Sequence, residues 1–189
     1  MCGRYTGNDD ESDEIADIYA RTRLAYPDAR LNNGEIFPTQ QVPILHGTDL
    51  NPFPAVWGYP GFQGKGVLIN ARAETAAEKF SFRDSLLNRR CVIPTTGYLE
   101  WDAGKTKYRF NLPDTRALYL GGFYKQFPDG IRFVILTTVP NASVADVHQR
   151  MPLILTPDFL NGWVCDTDCA LRYLRAAMPT LTREIQKVN

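Results

Sequence analysis

Histidine is nearly missing from this chain: His46 and His148 are its two, and they stand far apart in sequence. Cysteine is scarce as well. Of Cys2, Cys91, Cys165 and Cys169 only the last two are neighbours, and no second pair at ligand spacing accompanies them, so neither a metal centre nor a cofactor is expected. The scattered thiols suit a reducing compartment without disulfides, where Cys91, in Cys91-Val92-Ile93-Pro94, reads as a small core residue. Charge of one sign is absent: Lys plus Arg and Asp plus Glu both number 21, for a net charge of zero. No global field steers such a chain onto nucleic acid or an anionic membrane, and any nucleic-acid contact must use local cations. No apolar run approaches the roughly 20 residues of a membrane span, and no basic stretch followed by an apolar one opens the chain. The expectation is a cytoplasmic protein. Repeats, linkers and heptads are lacking, which favours one domain over residues 1–189 and a monomer. The Gly-rich stretch 58–66 lacks the Gly-Lys-Ser/Thr ending of a phosphate loop and reads as a surface loop.

What is present is core material, 44% hydrophobic and 12% aromatic. Ser12 before acidic residues and then Ile15, Ile18 and Tyr19 at helical spacing predicts a capped surface helix ending before Pro27. Short apolar runs follow at 42–45, 55–59, 67–70, 91–93, 108–111, 118–124, 131–139 and 152–155, separated by Gly, Pro, Asn and Asp, and these read as strands. Helices are expected over 74–88, from the Thr156-Pro157-Asp158 cap through Trp163, and over 166–177. Strands that follow one another without regular crossover helices exclude a repeated βαβ sheet. The fold class predicted is α+β, with twisted, largely antiparallel, barrel-like sheets flanked by several short helices.

Cys2 is the residue with the most chemistry. Aminopeptidases remove Met1 when the next side chain is small, which would leave an α-amine and a thiol on one residue. With reference pKa values of about 7.7 to 8.0 and about 8.5, a fraction of each is reactive at neutral pH. The pair can condense with an aldehyde, first as an imine and then as a five-membered thiazolidine. Position alone equally allows a frayed terminus.

Three polar clusters sit at the ends of apolar runs, where a core would not want them: 70–75, 97–101 and 146–152. Taken singly, Asn70 reads equally as a turn residue, Glu100 as a solvated strand position and His148 as a locally satisfied histidine. Together with Cys2 they form a pattern. The chain closely resembles the SRAP family, the SOS response-associated peptidase proteins that attach covalently to abasic sites in single-stranded DNA. The resemblance rests on Met-Cys-Gly-Arg-Tyr at 1–5, Asn-Ala-Arg-Ala-Glu-Thr at 70–75, Ser-Phe-Arg at 81–83 and Arg-Arg-Cys-Val-Ile-Pro at 89–94. It continues with Gly-Tyr-Leu-Glu-Trp at 97–101, Thr137-Thr138 with Asn141, His-Gln-Arg-Met-Pro-Leu-Ile-Leu at 148–155 and the closing Val188-Asn189. The chain departs from the family after Gly58, where Trp57 and Phe62 remain as an aromatic face for a base, and at Leu99, which replaces an aromatic residue.

The resemblance implies roles. Cys2 would be the nucleophile, His148 would assist opening of the sugar ring, Glu100 would shuttle protons at the amine and carbinolamine, and Asn70 would orient the sugar or a flanking phosphate. Arg4, Trp57, Arg72, Arg83, Thr138 and Arg150 would bind single-stranded DNA. A secondary lyase activity follows from the imine, and the peptidase label would reflect removal of Met1. Two other classes stay open: an N-terminal-nucleophile amidohydrolase with Asn70 as oxyanion donor, and a non-covalent single-stranded DNA binding module.

Overall fold

The computed structural model describes residues 2–186. Met1 and the closing Val188-Asn189 therefore lie outside the described residues, as does the side chain of Phe62. In chain order the elements are β1 (Arg4–Gly7), α1 (Asp13–Ala25), β2 (Gly34–Ile36), β3 (Gln41–His46), β4 (Asn51–Trp57), β5 (Tyr59–Pro60), β6 (Val67–Leu68) and β7 (Asn70–Arg72). There follow α2 (Ala73–Ala76), α3 (Phe80–Asn88), β8 (Arg90–Thr95), β9 (Gly97–Trp101), β10 (Lys107–Asn111), β11 (Leu118–Phe127) and β12 (Gly130–Thr138). The chain closes with β13 (Met151–Pro152), β14 (Ile154–Leu155), α4 (Leu160–Cys165), α5 (Thr167–Tyr173) and β15 (Thr182–Ile185).

Five of these strands close a barrel. β12 pairs with β4, β4 with β3, β3 with β8, β8 with β11, and β11 returns to β12. A ring this small has no lumen, so its inward side chains are the core. Trp57, Phe133, Ile135, Ile93 and Leu120 share that inward face by register and are all buried. β13, β14 and β7 extend the ring at its margins. β12 pairs in parallel with β4 and with β7, and every other pairing is antiparallel. β11 lies against β8, β12 and β14. A Cβ on Gly121 would sit 2.8 Å from Leu153 Cδ2, and one on Gly122 would sit 2.5 Å from the Val134 carbonyl oxygen, so neither position tolerates a side chain without a shift.

A second sheet, ordered β15-β10-β9-β1-β2, is antiparallel throughout. It is joined to the barrel where β8 runs into β9 through Thr96 and Gly97. The Thr96 amide donates to the Thr6 carbonyl at 2.7 Å, and Gly97 takes φ +142°, a region that side chains rarely adopt.

The first helix forms as its sequence predicts. Ser12 Oγ accepts from the Ile15 amide, Asp13 and Glu14 face the positive end of the helix, and Ile15, Ile18, Tyr19 and Thr22 are buried. The segment 74–88 is two helices rather than one. Lys79 is extended, because the Ala73–Ala76 turn seats on β7 and β12 whereas Phe82 and Leu86 of α3 seat on β11 and β8, and one straight helix cannot reach both surfaces. The stretch 58–66 carries β5 and the connection that returns it to β6 as a hairpin, with Gln63 at φ 53° in the turn. The last helix stops at Tyr173, short of 177. Strands β1, β2 and β15 lie outside the apolar runs; β15 is exposed along its whole length and gives no alternation to read.

Candidate functional site

The four candidate catalytic residues arrive from four directions. Cys2 precedes β1 and Glu100 lies in β9, both at the second sheet; Asn70 opens β7 on the barrel; His148 lies in the connection between β12 and β13, three residues before β13. That connection is held in place locally. Asn141 Oδ1 accepts from the amide and hydroxyl of Ser143 at 3.0 and 2.6 Å, while its Nδ2 donates to the carbonyls of Met178 and Pro179. Val144 and Val147 are buried beneath it. Thus the site lies between two sheets, where neither sheet's own hydrogen bonding consumes the polar groups.

Asn70 Nδ2 donates to the Cys2 carbonyl at 2.8 Å, bridging barrel and second sheet. Its Oδ1 is buried and has no partner among the described residues, so one acceptor is held ready inside the site. Cys2 is fully buried, and its Sγ donates a weak hydrogen bond to the Arg4 carbonyl at 3.7 Å. Burial pushes the thiol pKa well up, and the nearby Glu100 carboxylate adds to the shift. Glu100 is 6% exposed, and desolvation raises its pKa to about 7. His148 Nδ1 stands 4.0 Å from Glu100 Oε2. His148 Nδ1 lies 3.0 Å from the Arg150 amide and 3.2 Å from the Arg150 carbonyl, so the Arg150 backbone holds the ring in either tautomer, accepting from Nδ1–H or donating to a bare Nδ1. Desolvation also holds the imidazole below its ordinary pKa. At neutral pH the cluster therefore combines a protonated thiol, a carboxyl balanced between its two forms and a neutral imidazole that can donate a hydrogen bond. Such a set moves protons without metal ligands; among the described residues no group of three His, Cys, Asp or Glu side chains could hold a metal ion.

The residues expected to bind nucleic acid divide differently. Trp57 is a correction: it is fully buried, its ring stacks on Phe133 with centroids 6.5 Å apart, and its indole N–H donates to the Ile69 carbonyl at 3.0 Å. It cannot present a face to a base. Thr138 is only 5% exposed at the end of β12, opposite Met151, and offers little surface. Arg150 is held by a bidentate pair with Glu74 at 2.7 and 2.8 Å and by the Thr137 carbonyl at 2.5 Å. Its side chain positions the His148 segment. Arg4 pairs with Glu35 at 2.9 Å and lies 3.7 Å from the centre of the Phe37 ring. Lys107 meets the same Glu35 at 2.6 Å, and both cations lie over Trp101. Arg72 and Arg83 are exposed and reach solvent. Glu35, Phe37 and Lys107 carried no signal in the sequence, and Glu74 stood in a motif without a sign of its partner, since the ion-pair partners lie 31, 72 and 76 residues away.

The family model "SOS response associated peptidase (SRAP)" matches residues 1–188. The chain is 35% identical over 200 residues to the abasic site processing protein YobE of Bacillus subtilis, covering 94% of this chain and 88% of that one. It is 27% identical over 176 residues to the abasic site processing protein YedK of Escherichia coli, covering 87% and 79%. Among solved structures, a protein from Bacteroides thetaiotaomicron superposes with a TM-score of 0.79 at 23% identity, covering 98% and 92%, a likeness that speaks to the fold.

Proposed function

The chain belongs to the SRAP family, and from that premise we propose that it captures abasic sites in single-stranded DNA by forming a thiazolidine on Cys2. The observation that carries the reading is the Asn70 hydrogen bond to the Cys2 carbonyl, which pins the proposed nucleophile beside Glu100 and His148. Relatives named as abasic site processing proteins support the substrate class.

The chemistry starts once Met1 has left and the Cys2 nitrogen is an amine. An abasic deoxyribose is mostly a closed hemiacetal; as its ring C–O bond breaks, the C1 hydroxyl gives up its proton and the ring oxygen, hydrogen-bonded by His148, gains one, so the aldehyde opens with no net proton change. The amine adds to the aldehyde carbon to give a carbinolamine. Glu100, with its pKa about 7, takes the amine proton and returns it to the departing hydroxyl, so water leaves and the imine forms. The thiol then adds across the C=N bond: sulfur bonds to carbon, its proton ends on nitrogen, and the five-membered ring closes. One water is lost overall. Burial keeps the thiol protonated until the imine stands beside it to take that proton, which sets the order amine first, sulfur second. Holding the three groups together makes the condensation effectively unimolecular, where effective molarities reach about 10⁵ M or more.

The same imine acidifies the adjacent sugar carbon, so elimination of the 3′ phosphate competes with ring closure, and fast capture by sulfur suppresses strand cleavage. Peptidase activity is confined to release of Met1. The protein acts as a monomer in the cytoplasm, at damaged single strands, and needs no cofactor. Among the described residues no helix is long and apolar enough to cross a membrane.

Intact mass spectrometry with and without an abasic single-stranded oligonucleotide tests the reading. The expected result is protein lacking Met1 that gains the oligonucleotide mass less one water. An unmodified protein, or an adduct of equal yield in Cys2→Ala, overturns it; glutamine hydrolysis without adduct would point to the amidohydrolase class.

A further inference from the structure

Phe80 is 101% exposed, the most exposed of the large hydrophobic side chains and the first residue of α3. Its neighbours rule out a frayed end. Phe82, two residues on, is buried with its ring 5.5 Å from Phe123 and 6.3 Å from Tyr59, and Leu86 one turn later is buried as well. The helix start is therefore anchored on the barrel while Phe80 is held outward. Lys79 precedes it and Arg83 follows one helical turn later, both exposed. Arg72, also exposed, ends the strand that Asn70 opens, and α2 touches both that strand and α3. Against these three cations stand Glu78 and Asp84; the Asp84 carboxylate is taken up by Arg89 and Asn88, and that of Glu74 by Arg150.

A rigid aromatic face between cations suits a polyanion whose units carry flat rings, since a base stacks on the phenyl while lysine and arginine take the flanking phosphates. A purely apolar partner would leave the cations without counter-charge. We propose that Phe80 is a base-stacking platform for single-stranded DNA, with Lys79, Arg83 and Arg72 holding the backbone on the Asn70 side of the site. This assigns the aromatic contact to Phe80, the role that Trp57 is too deeply buried to fill. The proposal rests on the abasic-site reading for its biological use, but binding of undamaged strand tests it separately.

Fluorescence anisotropy with an undamaged single-stranded oligonucleotide, on protein carrying Cys2→Ala so that no adduct forms, measures the contact directly. Phe80→Ala and Phe80→Leu should each weaken binding about tenfold, Phe80→Trp should retain it, and thermal melting should be unchanged because the side chain packs on nothing. Leucine keeping full affinity would mean an apolar contact rather than a stack and overturns the proposal, as does full affinity in alanine. Equal DNA affinity with loss of a dimer in sedimentation assigns Phe80 to self-association instead. Failure of the wild-type protein to crosslink abasic DNA, with Phe80 still needed for binding, would sink the covalent reading and leave the stacking platform standing.

Discussion

The Asn70 amide donates to the Cys2 carbonyl at 2.8 Å, so a strand at the margin of the barrel fixes the chain end that leads into the other sheet. The bond has a directional consequence: the amide's nitrogen faces Cys2 and its oxygen is left buried without a partner among the described residues. A carbonyl in a closed site keeps its position only while that donor is present.

Asn70→Ala leaves the Cys2 carbonyl without this donor, a loss of about 1–3 kcal/mol. If that loss falls on the positioned nucleophile, single-turnover crosslinking slows about tenfold to a hundredfold. Asn70→Asp should be slower still, because it sets an acceptor against the carbonyl and a second acid near Glu100. Equal rates for wild type and Asn70→Ala would remove the positioning role.

Glu100 gives a pH signature with a definite sign. Its pKa rises from 4.5 to about 7 on folding, so between those values the folded protein keeps a proton that the unfolded chain has lost. The contribution of Glu100 to stability is complete below about pH 4.5, declines as pH rises and levels off above about pH 7. Glu100→Gln should therefore match wild type at pH 4 and be more stable at pH 8, by up to about 3 kcal/mol. The same variant should lose the limb near pH 7 in the crosslinking rate. Thermal melts at the two pH values, with a rate profile, check both parts; a variant less stable at pH 8 contradicts the assignment.

Salt dependence separates the arginines. Arg72, Arg83 and Lys79 face solvent, so three phosphate contacts predict a log-log slope near −2 on single strands. Arg72→Ala or Arg83→Ala should each flatten it by about 0.7. Arg150→Ala should lower the melting temperature and leave the slope alone, because that guanidinium is already bound to Glu74 and Thr137. A flatter slope in Arg150→Ala would return it to the phosphate contacts.

Trp57→Phe removes an indole hydrogen bond to Ile69 and part of a packed ring, which should cost about 2 kcal/mol of stability. Affinity for undamaged single-stranded DNA should not change. Reduced affinity at unchanged stability, read by melting and anisotropy on the same samples, is the result that would put Trp57 back on the surface.

The sequence by itself determined the strand-rich α+β class, the first helix with its Ser12 cap, the family, and the residue types able to do proton and nucleophile chemistry. Those features are local: caps, apolar runs and short motifs are read within a few residues of themselves. Tertiary structure decided which residues meet. It closed five strands into a ring, which put Trp57 inside although its motif position suggested an aromatic face. It divided 74–88 into two helices because they seat on different strands. It paired Arg150 with Glu74 and Arg4 with Glu35, spending on structure two cations that the sequence alone offered to phosphate. It also held Phe80 outward beside two free cations, where sequence showed only one apolar residue in an apolar-polar run. A side chain's burial and its partner depend on contacts made across tens of residues, and those exist only once the chain has closed on itself.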